Sequence, residues 1–209
     1  MDADRYVLDS VRETERDRFL GTLFAREPER RALLSLLAFE HELARTPLVT
    51  SEPMLARIRL QWWREAVAEA AKAATGEGKP PAQPLVESLS ETIRRHKLDP
   101  GALAAVIDAR ETAVDGALDT ARAAGSFADL QLAVLGVDDA PSRAAAHEVG
   151  QARLTADDVE RKALLAAARG RVIDPRALPI LLPALTLDRR LSAWRKPLAF
   201  WWAARRGRF

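Results

Sequence analysis

No stretch of this chain alternates apolar and polar residues over six positions, so the pattern of a half-buried β-strand is missing. Alanine, leucine and arginine dominate the composition, whereas β-branched residues are sparse. Ala, Leu and Arg lose little side-chain freedom in a helix. A chain of 209 residues is also long enough to bury a sizeable core. The sequence therefore predicts an all-α fold, a single helical bundle over residues 1–209.

Apolar periodicity and helix-breaking residues predict where the helices lie. Pro28 suits the first turn of the second helix, and Pro47 ends that helix. The stretch TGEGKPPAQP, residues 75–84, is an internal linker because it cannot hold a helix. Thr155 is expected to cap one of the later helices. Besides the second helix, we predict a third that ends near residue 74 and helices over 6–24, 85–96, 99–124, 142–151, 155–170, 174–185 and 189–209.

Cysteine usage and apolar runs bear on the compartment. The chain contains no cysteine, so disulfides and thiolate metal sites are excluded. The acidic start MDADRYVLDS does not resemble a secretory signal, and no run approaches the roughly 18 apolar residues of a spanning helix. We expect a cytoplasmic protein, with peripheral attachment to the inner face of the membrane as a further expectation.

Charge is distributed unevenly along the chain. From Arg189 to Phe209 there are seven Arg or Lys residues and no Asp or Glu, although the net charge of the whole chain is only +2. A basic tail on an acidic body predicts a surface for an anionic partner, and it does not predict nucleic-acid binding. The competing interpretation is that these charges only solvate a terminal helix.

Three stretches resemble the squalene/phytoene synthase family in the expected order. They are DRFLGTLFAREPERRALLSLLAFEHELAR (17–45), VTSEPMLARIRLQWWREAV (49–67) and QPLVESLSETIRRHKLDPGALAAVIDARE (83–111). A weaker similarity is ARGRVIDPRALP (168–179), which resembles the family's Gly-Arg-x-x-x-Pro stretch. The paired tryptophans of the second stretch, and the SEP ahead of them, are most similar to one branch of the family. That branch contains the mitochondrial complex I assembly factor and its bacterial relatives.

This resemblance implies the helical fold of the trans-isoprenyl diphosphate synthases, with a central apolar cavity. It also implies a reaction, because active members join two prenyl diphosphates that magnesium bridges to aspartates on two facing helices. Magnesium requires hard oxygen ligands for this task. The segment between Leu130 and Gly150 is shorter than the family's, so we expect a truncated bundle.

The aspartates that the resemblance implies are not where they are expected. The first pair should follow Phe39, but the chain reads FEHELART there and places Ala44 and Arg45 roughly at the aspartate positions. Arginine cannot ligate magnesium. Near the second motif, Asp157 and Asp158 lack the family's DxxED spacing and fit the first turn of a helix. We therefore predict no catalytic residue and no cofactor, with magnesium expected only if the chain is an enzyme.

A stripe of carboxylates provides one alternative metal site. Asp108, Glu111 and Asp115 follow the spacing i, i+3, i+7, and Asp119 continues it. On the predicted helix 99–124 these residues share one face, where two of them could hold one metal ion. The competing interpretation is a solvated face whose carboxylates pair with arginines.

The candidate substrate-binding residues lie around the two adjacent tryptophans. They are Phe39, Arg45, Gln61, Trp62, Trp63 and Arg64. Consecutive helical residues point about 100° apart, so only one tryptophan can face the bundle interior fully. In one interpretation that ring lines an apolar pocket and Arg64 lies near an anionic head group. In the other the ring is core packing, which is the interpretation we favour.

The last predicted helix is a candidate membrane or partner contact. Aromatic residues lie there between basic ones, a pattern that suits the interface of an anionic membrane. The candidate contact residues are Arg195, Lys196, Trp201, Trp202, Arg205 and Arg206. The alternative is a terminal helix that docks on the protein through its tryptophans.

These observations predict a catalytically silent relative of the prenyl synthases that acts as a binding or assembly factor. By similarity to the assembly-factor branch, its partner would be an assembly intermediate of respiratory complex I. One alternative is an active magnesium-dependent prenyltransferase that uses displaced carboxylates. Another is a peripheral membrane protein that binds an isoprenoid lipid without processing it.

Overall fold

The computed structural model describes residues 2–48, 52–189 and 191–209, without the side chains of Leu48 and Asp115. Within these ranges the chain forms helices and no β-strand, which confirms the predicted all-α class. The α-helices are α1 (Ala3–Thr14), α2 (Arg16–Thr22), α3 (Glu27–Arg45), α4 (Pro53–Ala74), α5 (Pro84–His96), α6 (Pro100–Asp115), α7 (Thr120–Leu135), α8 (Ala140–Leu154), α9 (Asp158–Arg169), α10 (Leu178–Leu181) and α11 (Arg195–Arg206). Short 3-10 helices cover Thr46–Leu48, Pro175–Ala177 and Leu182–Thr186.

The chain divides into two compact units. Unit 1 comprises residues 1–14 and 31–119, and unit 2 comprises residues 15–30 and 120–209. Each unit therefore combines an N-terminal segment with a longer part of the chain. The expectation of a single domain over residues 1–209 stays a prediction.

Local sequence signals account for where several helices begin. Pro53, Pro84 and Pro100 occupy the first turns of their helices, where the missing backbone N–H has no partner to lose. Asp99 precedes α6 and accepts a hydrogen bond from the Gly101 N–H at 2.9 Å. Residues 75–83 of the predicted linker 75–84 lie between α4 and α5, and Pro84 is the first residue of α5.

Unit 1 is a set of helices packed around α4. Helix α4 packs against α5 and α6, and α1 packs against α5. The buried hydroxyl groups of Ser35 and Ser88 share a hydrogen bond between α3 and α5, and Ser90 donates to the Ala70 carbonyl at 2.9 Å. Each fully buried large apolar side chain contributes about 1.5–3 kcal/mol to stability. The largest of them in this unit are Trp63, Phe39, Leu33, Leu36, Leu37, Leu43, Leu60, Leu85, Leu89, Leu103 and Ile107.

Two of the predicted long helices are interrupted. The helix predicted over residues 6–24 is divided into α1 and α2 at Glu15, whose backbone angles of −127° and 47° are not helical. The helix predicted over 99–124 ends at Asp115, and α7 begins at Thr120. Gly125, the residue after the predicted helix, lies inside α7, where a Cβ would be 3.3 Å from the His147 ring. Close packing of α7 against α8 therefore explains this glycine.

Unit 2 combines a helical layer with a series of short turns. Helix α8 packs against both α7 and α9, while α2 packs against α10, the 3-10 helix after it and α11. The single helix predicted over 174–185 is broken into short pieces. Pro179 and Pro183 cause this, because proline lacks the N–H that would continue an α-helical hydrogen-bond ladder.

The last helix is attached to these turns through an apolar cluster. Phe200 of α11 is buried against Leu178, Leu182 and Leu185. Among the described residues, no helix combines the length and the apolar character that crossing a membrane requires. The buried Phe200 therefore holds one face of α11 to the rest of unit 2.

Candidate functional site

The two adjacent tryptophans of α4 have different environments. Trp63 is 2% exposed and meets Phe39 of α3 edge to face, with ring centroids 5.4 Å apart. Trp62 is 43% exposed, and its ring meets the Trp63 ring edge to face with the centroids 4.8 Å apart. Aromatic pairs in this geometry stabilise a core beyond the area that they bury. One ring therefore faces the interior and one faces outward, as the helical spacing requires.

Arg64 binds the first two carboxylates of the predicted stripe. Its Nη2 donates to Asp108 Oδ1 at 2.8 Å and also donates to Glu111. Both carboxylates lie on α6, whereas Arg64 lies on α4. Burial lowers the pKa of Arg64, but hydrogen bonds and the charges of Asp108 and Glu111 outweigh that effect. The pKa of Arg64 is therefore raised above the ordinary value for arginine. This stripe is joined to a neighbouring helix by an arginine.

The alternative metal site has few ligands to offer. In the part of the chain that the structure describes, no group of three His, Asp or Glu side chains could hold a metal ion. The Asp115 side chain lies outside the described residues, and Asp119 lies beyond the end of α6. A metal ion at Asp108 and Glu111 would have to replace the Arg64 guanidinium. The metal-binding role of these residues stays a prediction.

The position expected for the first aspartate pair is occupied by a cationic cluster. Arg45 lies 3.3 Å from Glu42 within α3, and Arg59 of α4 donates to the same carboxylate at 2.9 Å. Gln61 lies apart from this cluster and donates to Glu65 at 3.0 Å on the surface of α4. The predicted substrate-binding residues are therefore distributed between the core and the surface.

A buried ion pair lies next to the contact between the Phe39 and Trp63 rings. The sequence did not predict that its two residues would pair. Arg110 of α6 donates a hydrogen bond to Glu40 of α3, and both side chains are buried. The signal in the sequence is a glutamate in the middle of an apolar run, because buried carboxylates require a partner. The sequence alone did not indicate which arginine would supply it.

The acids near the second motif serve the start of α9. Asp157 is the capping residue, and its Oδ1 accepts from the backbone N–H of Val159 at 2.7 Å and of Glu160 at 3.2 Å. The expectation that Thr155 caps this helix is wrong, because Thr155 ends α8 in an extended conformation. Its hydroxyl instead bonds the Glu160 side chain and accepts from the Asp157 N–H.

Apolar residues and a cation share one exposed face of helix α11. Leu198, Trp201, Trp202 and Arg205 follow the spacing i, i+3, i+4, i+7 and are all exposed. The Arg205 and Arg206 guanidinium groups stack on the Trp201 and Trp202 rings, 5.6 and 5.0 Å from their centroids.

Two of the predicted tail cations occupy different surroundings. Lys196 points toward α2, where its Nζ donates to Asp17 at 2.6 Å, so it does not join the outward face. Arg195 is exposed and lies 4.9 Å from the Trp194 ring.

Replacing each tryptophan of α4 by alanine tests which ring belongs to the core. Trp63→Ala should lower the free energy of unfolding by about 3–5 kcal/mol, because a buried aromatic leaves a cavity. Trp62→Ala is the matched control and should cost less than about 1 kcal/mol. Urea unfolding followed by circular dichroism measures both. Equal losses in the two variants would contradict the assignment of Trp63 alone to the core.

Comparison with known proteins agrees with the motifs described above. NADH dehydrogenase (ubiquinone) complex I, assembly factor 6, of Rattus norvegicus is 30% identical over 161 residues, which cover 73% of this chain and 47% of the relative. The protein of the same name from Bos taurus is 29% identical over 159 residues, which cover 72% of this chain and 46% of the relative. The Homo sapiens protein of this name is 27% identical over 159 residues, which again cover 72% of this chain and 46% of the relative. The chain thus spans about half the length of the curated relatives it matches.

No solved structure matches the chain significantly. The squalene/phytoene synthase family matches residues 11–173, which is well over half of the sequence. This match includes the Trp62-Trp63-Arg64 segment and the region after Phe39 where the resemblance implies the first aspartate pair. The chain belongs to the squalene/phytoene synthase family.

Proposed function

We propose that this chain is a non-catalytic member of its family that acts as a binding factor in the assembly of respiratory complex I. Relatives from Rattus norvegicus and Bos taurus carry the name of a complex I assembly factor. The squalene/phytoene synthase family matches residues 11–173, which include α3, α4 and α6, the helices that carry the region of the first motif and the carboxylate stripe. The partner in this proposal is an assembly intermediate of that complex.

The charge at the first motif carries the proposal. Arg45 lies roughly where the family resemblance implies an aspartate, and Arg59 joins it through the shared Glu42. Two guanidinium groups and one carboxylate give this cluster a net positive charge, whereas a magnesium ion that bridges a diphosphate needs several anionic oxygens. Ionisation of a prenyl diphosphate lacks its electrophilic support at such a site. These residues do not fit the magnesium cluster of an active family member.

The active-prenyltransferase alternative depends on the carboxylate stripe. Asp108 and Glu111 are the candidate ligands, and both are bound by Arg64. A metal ion would therefore compete with a guanidinium that already satisfies them. This competition supports the non-catalytic proposal over the alternative.

A synthase assay tests the absence of catalysis. The purified chain, incubated with magnesium and labelled farnesyl or geranylgeranyl diphosphate, should form no condensation product, and Asp108→Asn and Glu111→Gln should change nothing. Both substitutions preserve shape while removing charge. Product formation by the natural chain that either substitution abolishes would overturn the proposal and assign catalysis to the stripe.

Deletion of the chain tests the assembly role. Cells that lack it should contain less fully assembled complex I on native gels, and lower NADH:ubiquinone oxidoreductase activity, because an intermediate fails to mature. Re-expression of the natural chain should restore both, and so should a folded Glu111→Gln chain, since no catalysis is required. Unchanged complex I levels after deletion would contradict the proposal.

A second candidate function is attachment to an anionic membrane surface through α11. The exposed Trp201 and Trp202 rings lie beside the stacked Arg205 and Arg206 guanidinium groups, while Phe200 holds the opposite face to unit 2. Exposed rings and cations on one helix suit the head-group region of a bilayer. This attachment is compatible with the assembly role, and an isoprenoid lipid in the bilayer is the narrower form of the proposal.

Vesicle flotation tests the membrane proposal. The chain should float with phosphatidylcholine vesicles that contain phosphatidylglycerol and not with phosphatidylcholine alone. Arg205→Gln with Arg206→Gln should weaken binding about 30-fold, since each cation contributes about 1 kcal/mol near such a surface. Arg94→Gln with Arg95→Gln, two exposed cations of α5, is the matched control. Binding that responds equally to both pairs, or no binding at all, would count against this role. Stronger flotation with a polyprenyl lipid present would favour the narrower form.

A further inference from the structure

The first half of α4 carries a row of exposed apolar side chains. Met54, Leu55, Ile58 and Trp62 are 71%, 49%, 59% and 43% exposed. Their spacings of three, four and seven positions put them on one face of the helix, away from the side that buries Trp63. Apolar side chains on adjoining turns form a contiguous patch, and such patches mark interaction sites. We call this patch the α4 stripe.

The size of the α4 stripe is that of one half of a small interface. Its four side chains present roughly 450 Å² of surface, the range in which exposed apolar patches on monomers are often functional. With the exposed Gln61 beside them, two such stripes would bury roughly 1,000 Å² in all, the lower limit for a specific protein–protein interface. Two stripes are therefore enough for a weak dimer.

Two ion-pair clusters flank the α4 stripe, one on each side. Arg59 and Arg64 are five positions apart and therefore point about 140° apart around the helix. Arg59 binds Glu42 of α3, whereas Arg64 binds Asp108 and Glu111 of α6. The stripe lies between these two arginines on the exposed side of α4, so it has an α3 side and an α6 side.

The two clusters have opposite net charges. On the α3 side Arg45 and Arg59 share Glu42, which leaves one positive charge. On the α6 side one arginine is bound to two carboxylates, which leaves one negative charge. Nearer the start of α4, Glu52 and Arg57 carry opposite charges and both interact within the chain. The α4 stripe is thus a neutral apolar surface with a basic side and an acidic side.

We propose that the α4 stripe binds the α4 stripe of a second copy of this chain, in a two-fold symmetric homodimer. A two-fold axis that runs along α4 brings the α3 side of one copy against the α6 side of the other, so the positive cluster meets the negative one. Each residue of the stripe then meets its own counterpart, with Ile58 at the centre. A different protein would need the same apolar stripe and the same opposed charges, whereas a second copy has them by symmetry. This dimer goes beyond the proposed assembly role and does not depend on it.

Sedimentation velocity tests the association. The natural chain has a mass of 23.0 kDa and should sediment as a particle of twice that mass at about 100 µM. Ile58→Glu buries a charge at the centre of the contact in both copies, so its dissociation constant should be about 100-fold higher and the variant should be monomeric. Val172→Glu, at a valine of unit 2 that is 88% exposed, is the matched control and should remain dimeric. Both positions are exposed, and circular dichroism establishes that both variants are folded.

Cysteine cross-linking tests the symmetry. The chain contains no cysteine, so a single introduced thiol reports on its own position alone. Ile58→Cys should form an intermolecular disulfide under mild oxidation about tenfold faster than Val172→Cys, because the dimer holds the two thiols together. Met54→Cys should cross-link as well, since an axis along α4 pairs each stripe residue with its counterpart. An axis across the helix would separate the two copies of residue 54 beyond the reach of a disulfide.

Reversing one flanking charge tests the orientation. Arg45→Glu gives the α3-side cluster a net negative charge, so that it faces a cluster of the same sign on the second copy. The dissociation constant should rise about tenfold, because the repulsion occurs twice in a symmetric dimer. About 0.5 M NaCl should remove most of this difference, since salt screens exposed charges.

Several results would overturn the proposal. A natural chain that is monomeric at about 100 µM would assign the α4 stripe to a different protein. A dimer that persists in Ile58→Glu but dissociates in Trp201→Ala with Trp202→Ala would assign self-association to α11. Equal cross-linking rates at positions 58 and 172 would exclude the stripe from the interface. An Arg45→Glu chain that dimerises like the natural one, or a Met54→Cys chain that does not cross-link, would contradict the axis along α4.

Discussion

Three ion pairs join α3, α4 and α6, the helices on which the rest of unit 1 depends. Arg64 of α4 binds Asp108 and Glu111 of α6, and Glu40 of α3 is bound by Arg110 of α6. The Trp63 ring of α4 packs against the Phe39 ring of α3. The ion pairs connect both of these helices to α6. A buried pair such as Glu40 and Arg110 contributes little net stability, but removing one partner costs about 3–5 kcal/mol because the other charge is left alone. These pairs therefore specify how the helices meet.

The same interactions use the charged groups that catalysis would need. Carboxylates bound by guanidinium groups are poor magnesium ligands, and Arg45 with Arg59 makes the first motif cationic. Packing of apolar helix faces and ion pairs maintains these helices without a metal cluster, which is compatible with the non-catalytic role proposed above. What remains on the surface, notably the exposed rings of α4 and α11, is suited to binding.

Helix α11 packs one face against the rest of unit 2 and exposes the other. Phe200 holds α11 to the apolar cluster of the preceding turns, and Lys196 ties it to α2 through Asp17. The remaining face exposes Trp201, Trp202 and their stacked arginines. Anchoring by one face keeps the other in a constant orientation, which lowers the entropic cost of docking on a surface.

The sequence by itself determined the helical class and many helix starts, and it places Ala44 and Arg45 roughly where the family resemblance implies aspartates. Those features depend on composition, on local signals such as Asp99 ahead of Pro100, and on residue identity at Ala44 and Arg45. Only the tertiary structure decided that Trp63 is buried, that Arg64 meets Asp108 across 44 positions of sequence, and that Ile58 is exposed on α4. Helical periodicity identifies which residues share a face. It does not identify the helix that the face will meet, because that choice depends on contacts between distant segments.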